Sequence, residues 1–346
     1  MIDNIINSFI NENQASGAQI SVYTGNPVNN YFSTAGMNYD DNYHTWKKPP
    51  NASWVWISAQ GGGSSGSYGA NTGATTGGGG CGGTSGELKS GLFPAFMLPE
   101  TLYIQIGQGG TANTPTSGGN SVSGSHTMVT MEPLPRTVVE ANTAIILMAA
   151  AGQDPTVNPA NSTAGDTTLG SPQFVTPVTS NPRMTQGISQ SNTAPSNGNS
   201  DGGSPGNPGE DLSILATFTG RGVATAGTGG GGTGARGGNN MFASNDTLSR
   251  GTLQQYTPQG NPGGAASTGG APGANGINGA VIKFMWWHYG GTGGGGGSST
   301  AGESPGSGGD GVLGSGGGGC GGTTTVNPSL GTPGRGGDGF VVIMAW

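Results

Sequence analysis

Apolar positions along this chain come in short, separated runs. Ile2, Ile5, Ile6, Phe9 and Ile10 fall at i, i+3, i+4, i+7 and i+8, which is one face of a helix. A helix of about three turns is marginal alone, so the stripe must pack either on its own domain or on a partner or further copies of the chain. AQISVYT, at 18–24, reads as a strand. From Trp46 onward a rhythm sets in, with an apolar strand followed by a run of small residues. NASWVWISA (51–59), TAIILMAAA (143–151), LSILATFTG (212–220) and GAVIKFMWW (279–287) each lead into such a run. These strands carry β-branched and aromatic residues and are bounded by Gly or Pro. GFVVIMAW (339–346) puts Phe340, Val342, Met344 and Trp346 on one face and Val341, Ile343 and Ala345 on the other. Both faces are apolar, so this strand is expected to be buried on both sides.

Composition changes the picture. Gly supplies 75 of 346 residues, against a usual share of about 7 %. The glycines come as solid runs, such as 77–80, 229–232, 293–297 and 316–319. Collagen needs Gly at every third position, so collagen is excluded. One reading is an ordered bundle of extended, polyglycine-II-like helices, with three residues per turn and no internal hydrogen bonds. Their amides must pair with neighbouring helices, and a helix enclosed by others has room only for Gly. The other reading is surface loops without regular structure. GGGGCGGT occurs twice, at 77–84 and 316–323, which suggests a duplicated unit or two equivalent lattice places. The fold class expected is therefore all-β: stacked sheets, a glycine-rich helical bundle and a short N-terminal helix. Residues 1–45, with ordinary glycine content, form an attachment or oligomerisation segment. Residues 46–346 form a glycine-rich β domain, with 152–211 a long surface excursion rich in Pro, Asn, Ser and Thr.

Charge narrows the partners. Only 8 % of residues are charged, with a net charge of −7 and ten Lys and Arg in all, too few for a groove that tracks phosphates. No nucleic-acid partner is expected. The start, MIDNIINSFINENQ, lacks a basic region and an unbroken apolar stretch, so it does not read as a signal peptide. No segment offers the roughly 20 apolar residues of a membrane helix.

Candidate chemistry is sparse. His44, His126 and His288 are isolated and lack metal-ligand spacing; His288 beside Trp287 and Tyr289 reads as a strand-end cluster. Asp40 with Asp41 and Glu210 with Asp211 are the carboxylate pairs a glycan hydrolase would need, yet neighbours on a strand point to opposite faces. No catalytic residue, cofactor or metal site is expected. Cys81 and Cys320 sit in the two identical repeats, either as buried thiols or as a disulfide. Two cysteines are too few for a disulfide scaffold.

The arrangement resembles a glycine-rich module of bacteriophage tail fibre and adhesin proteins. The opening is an aromatic residue, a Lys-Pro step and a strand running into glycines; here these are Trp46, Lys48, Pro49 and Trp54 to Ile57. A glycine block, a Leu-Pro step (Leu98, Pro99) and a strand ending at Gly107, Gly109 and Gly110 follow. The close is Gly336, Gly337, Asp338, Gly339 and FVVIMAW. The resemblance covers roughly 46–110 and 279–346; the middle is richer in Pro, Asn and Thr than the family. It implies a structural virion protein made in the host cytoplasm, a tail fibre or tail-tip adhesin, often a homotrimer. It would be attached to other tail proteins through Ile2, Ile5, Ile6, Phe9 and Ile10 and would face a host surface glycan or outer-membrane protein. A head-surface fibre or capsid-decorating protein and a glycan-cleaving tailspike are the alternatives. Tyr68 and Tyr256, aromatic rings near loops, are candidate receptor contacts or framework residues.

Overall fold

The computed structural model describes residues 18–25, 43–69, 78–111, 121–133, 144–152, 188–192, 212–213, 240–241, 273–279, 281–284, 288–291, 297, 304–322 and 331–346. The expected N-terminal helix lies outside them. The described chain is all-β, with one short 3-10 turn at Ala95–Met97.

A five-stranded sheet has the order β1 (Gln19–Thr24), β13 (Phe340–Ala345), β3 (Trp54–Gln60), β4 (Leu88–Pro94), β8 (Ile188–Asn192). Every pairing in it is antiparallel. A four-stranded antiparallel sheet has the order β2 (Tyr43–Lys47), β5 (Thr101–Gln105), β6 (Thr127–Thr130), β7 (Ile145–Ala149). Two small pairs complete the set: β9 (Leu212–Ser213) with β10 (Asn240–Met241), and β11 (Val281–Phe284) with β12 (His288–Gly291).

Period-two alternation sets the packing. Val55, Ile57, Ala59, Val341, Ile343 and Ala345 turn one face of the larger sheet inward. They meet Trp46, Leu102, Ile104, Val129 and Leu147 of the smaller sheet in one buried cluster. The opposite face of β13 is covered as well. Phe340 and Val342 are buried there against half-buried Ile20, Val22, Trp56, Leu88 and Leu313. The double burial expected for 339–346 therefore holds over Phe340 to Ile343. It fails at Trp346, which is 42 % exposed. In β4, Gly91 leaves the space that the Phe93 ring fills by folding back over the strand.

Several expectations need correction. The run 279–287 is not one strand: Val281 pairs with Gly291 and Phe284 with His288, so the chain reverses between 284 and 288. β2 spans 45/46 and pairs with β5, and β1 pairs along the whole of β13. The 152–211 stretch is not purely an excursion, since β8 adds to the edge of β4. Of the strand expected at 212–220, β9 is the described part.

Beyond the strands the hydrogen bonding changes period. Successive amides from Gly61 onward point in three directions. Gly61, Ser64 and Ser67 donate to Glu87, Thr84 and Cys81 at 2.9 Å each. Gly62 and Ser65 donate to Ser125 and Val122, both at 3.0 Å, and Gly63 and Gly66 to Gly337 and Gly334, both at 2.9 Å. Each partner series steps back by three, so all three neighbours run antiparallel. In return the carbonyls of Gly62, Gly63 and Ser64 accept from Gly152, Gly110 and Gly317. Ladders of the same step link 80–86 to 314–320, and 273–279 to 304–310. Gly314 is the one described glycine with positive φ, at 78°, in a tight turn with Leu313. At the others the backbone would admit any residue. What forbids a side chain there is space. A Cβ on Gly63, Gly66, Gly317, Gly319 or Gly336 would lie closer than 3.0 Å to a neighbouring backbone carbonyl.

Candidate functional site

Strand direction gives the molecule two unlike ends. β3, β5 and β7 run into glycine segments at 61, 106 and 150, while 78–87, 121–126 and 331–339 run back into β4, β6 and β13. Every one of these junctions lies at the same end of the two sheets. The connections from 69 to 78, 111 to 121 and 322 to 331 all leave and return at the far end of the glycine segments. At the opposite end lie Trp54, Trp346, the 94–100 turn and the entry to β1, where Gln19 pairs with Ala345.

That opposite end, the base, carries three of the four large exposed apolar side chains among the described residues. Phe96 is 85 % exposed and Trp54 is 42 % exposed, like Trp346. They are held close together by backbone bonds. Trp346 N donates to Trp54 O at 3.1 Å, Trp54 N to Trp346 O at 3.0 Å, and Ala95 N to Ser53 O at 2.9 Å. Lys48 fixes the turn that presents Phe96. Its Nζ donates to Ala95 O at 3.2 Å and Leu98 O at 2.8 Å, and pairs with Glu100 at 3.1 Å. The aromatic and Lys-Pro step read from the sequence thus has a local reason: Trp46 enters the core and Lys48 clamps the turn.

The junction between sheets and glycine segments is polar and closed. Gln60 Nε2 donates to Gly86 O at 2.5 Å, and Thr127 Oγ1 donates to Gln60 O at 2.6 Å. Glu87 Oε2 accepts from Ala150 N at 3.0 Å. Glu87 and Lys89, two residues apart, are both buried. Burial pushes the Glu87 carboxyl up, with the Lys89 charge and the Ala150 amide pulling it back. Burial pushes the Lys89 ammonium down, with Glu87 opposing. Neither group meets solvent, and both stand where the larger sheet passes into the glycine segments.

Short polar side chains serve the glycine segments. Ser64, Ser65 and Ser67 Oγ accept the amides of Thr84, Val122 and Cys81 at 2.7, 2.8 and 2.7 Å. Asn275 and Asn278 accept from Ser307 and Asp310 at 2.8 and 2.9 Å. Ser307 and Asp310 in turn accept from Thr332 and Arg335 at 3.0 and 2.8 Å. Asp338 takes the Gly109 amide at 2.8 Å and is bridged by Arg335. Sequence reasoning missed these acceptors. Their signal is a small polar residue at intervals of three within glycine-rich stretches.

The remaining candidates fall as follows. Tyr68 is only 3 % exposed, and burial beside Cys320 raises its pKa. Cys81 and Cys320 are buried free thiols. Both bind Ser67, Cys81 through its amide and carbonyl and Cys320 through its amide, so the two repeats meet on one residue. Burial pushes the Cys320 thiol up to about 12. His44 lies 5.3 Å from the Tyr23 ring, and burial lowers its pKa. His126 Nδ1 accepts from Ala151 N at 3.0 Å. Ile2, Ile5, Ile6, Phe9, Ile10, Tyr256, Asp40, Asp41, Glu210 and Asp211 lie outside the described residues. Among those described, no group of three or more His, Cys, Asp and Glu is placed to hold a metal, and no helix is long and apolar enough to cross a membrane. In comparisons with known proteins the chain matches no family model and no curated protein.

Proposed function

We propose that this chain is a structural, adhesive part of a virus particle, a tail fibre or tail-tip adhesin that acts without catalysis. One observation carries the reading: β1 begins at the aromatic base, while the connections from 69 to 78, 111 to 121 and 322 to 331 leave from glycine segments that extend from the other end of the sheets. Such a layout suits a spacer with one end for mounting and one for contact. Connecting loops on a rigid scaffold are where binding residues concentrate. The resemblance of Trp46 to Ile57 and of 336–346 to phage adhesin modules points the same way.

The glycine segments, on this reading, are a bundle of polyglycine-II type. Three features support it: the step of three in the hydrogen bonds, the negative φ of nearly every described glycine, and the lack of room for a Cβ.

Gold-labelled antibody against the purified chain, applied to intact particles, tests the location. Label on the tail, together with competition by free protein for adsorption to host cells, is the expected result. Label on the head would favour a fibre or decorating protein there. Release of oligosaccharides from host envelope glycans by the purified chain would overturn the non-enzymatic reading in favour of a tailspike.

A further inference from the structure

We infer that residues 273–279 are an open edge of the glycine segments, and that a second copy of this chain closes it by pairing its own 273–279 there across a two-fold axis. The edge belongs to a layer of three segments, 273–279, 304–311 and 331–338, which run parallel because bonded residues keep a constant offset. One rule joins each segment to the next. The glycine after a polar residue donates to the carbonyl of a polar residue in the next segment. Gly276 N donates to Ser307 O at 2.8 Å, Gly279 N to Asp310 O at 2.6 Å, Gly308 N to Thr332 O at 2.9 Å and Gly311 N to Arg335 O at 2.8 Å. The amide of that same polar residue donates back to a side chain. Ser307 N reaches Asn275 Oδ1, Asp310 N reaches Asn278 Oδ1, Thr332 N reaches Ser307 Oγ and Arg335 N reaches Asp310 Oδ1, at 2.8 to 3.0 Å. At each joint the polar residue turns both its N–H and its C=O toward the segment before it.

The rule runs out at 273–279. Among the described residues, the N–H and C=O of Asn275 and Asn278 have no hydrogen-bond partner. By the same geometry these groups face away from the layer, at positions about 9 Å apart. Asn275, Ile277 and Asn278 are exposed, Ile277 to 52 %. An unpaired row of this kind is a template for another chain, as the edge of a sheet is. The other side of the layer is closed within the chain: Gly336 N donates to Gly110 O at 2.9 Å, and Asp338 accepts from Gly109 N at 2.8 Å. Head-to-tail repetition of the layer is therefore barred, and a second copy meets it edge to edge. The edge is also self-complementary. Each Asn brings a donor and an acceptor to the open side, so a two-fold axis perpendicular to the segments sets Asn275 against Asn278 of the other copy. Each such pair then exchanges two backbone bonds, as in an antiparallel ladder. Antiparallel neighbours already occur within the chain, between 61–67 and 81–87. In that register Ile277 falls opposite Gly276 of the other copy, which has no side chain to obstruct it. Residues 273–279 read GANGING, with no charge to repel its twin across the axis. The inference stands on these hydrogen bonds and does not need the viral reading.

Sedimentation equilibrium on the full-length chain tests it, with two paired variants. Asn275→Pro with Asn278→Pro removes the outward N–H groups while keeping the extended backbone that proline favours. Asn275→Ala with Asn278→Ala removes the same side chains and keeps the N–H groups. The parent should form a concentration-dependent dimer, and the proline variant should self-associate roughly ten-fold or more weakly than the alanine variant. In the otherwise native chain, Ile277→Cys should be joined to its twin by a short bismaleimide, since the axis passes beside it. Thr111→Cys, also at an exposed position, should not be joined, and the buried Cys81 and Cys320 should stay silent. A chain that remains monomeric up to about 1 mM, an oligomer that associates equally well in the proline and alanine variants, or no link through position 277 would overturn the inference.

Discussion

Ser67 and Cys81 bind each other in both directions: Ser67 N donates to Cys81 O at 2.9 Å, and Cys81 N donates to Ser67 Oγ at 2.7 Å. A serine here replaces a backbone acceptor with a hydroxyl, and it does so where no water reaches. Ser67→Ala should strand the Cys81 amide. An orphaned buried donor costs about 1–3 kcal/mol, so urea unfolding should show a fall of that size with an unchanged slope. A stability equal to the parent would mean that the hydroxyl is dispensable.

The glycine segments should refuse alanine. Gly63, Gly317 and Gly336 each face a backbone carbonyl from a neighbouring segment. An added methyl in a tight core costs about 1–3 kcal/mol, and native stability is typically about 5–15 kcal/mol. Replacing all three by Ala should therefore cause misfolding or a large drop in Tm. Gln19→Ala with Thr111→Ala, both at exposed positions, should leave Tm nearly unchanged. Equal tolerance in both variants would rule out a packed bundle.

Glu87 and Lys89 predict a pH dependence with a definite sign. Glu87 has its pKa raised above the ordinary 4.5. Its contribution is full below that value and is lost as pH rises through the raised pKa. Lys89 has its pKa lowered from 10.5. Its contribution is full above 10.5 and is lost as pH falls through the lowered pKa. Near neutrality both charged forms are disfavoured, and each is tolerated because of the other. Glu87→Gln with Lys89→Met should match the parent or exceed it by about 1–4 kcal/mol at pH 7, as for other buried pairs replaced by neutral groups. Its stability curve should also be flatter between pH 4 and pH 8. Lys89→Met alone should be the less stable variant, since it leaves the carboxylate without its cation. A single variant as stable as the double would refute the coupling.

The two thiols should be inert in the native chain. Cys320 is fully enclosed, with its pKa pushed up to about 12, and the thiolate is the reacting form. Ellman's reagent at pH 8 should detect almost no thiol until urea is added, and then two per chain. Rapid native labelling would show that the repeats open.

The sheets were partly legible in the residues. β1, β3, β7 and β13 are apolar runs, and their existence follows from β-propensity. β4 is LKSGLFP, whose buried Lys and central Gly hide it from any hydrophobic count. β6 is only TMVT. β8 lies in a polar stretch, joined to the sheet by backbone bonds that composition does not report. In 279–287 the apolar run continues past the reversal, so a hairpin read as a strand. Tyr68 stood in the sequence as either a receptor contact or a framework ring, and it is 3 % exposed. The base patch could not be read at all, since Trp54, Phe96 and Trp346 converge only after strand pairing.

The change from a period of two to a period of three at Gly61 has a mechanical meaning. A tug on the connection between 69 and 78 pulls along segment 61–69, not across it. The amides to 81–87, 122–125 and 334–337 are then loaded together in shear, on three sides at once, and none can be opened singly like the end of a zipper. Force entering at the far end is shared among neighbours within a few residues. It reaches the sheets through several strands in place of one. Segments bonded this way share load along their length without needing a wide hydrophobic core.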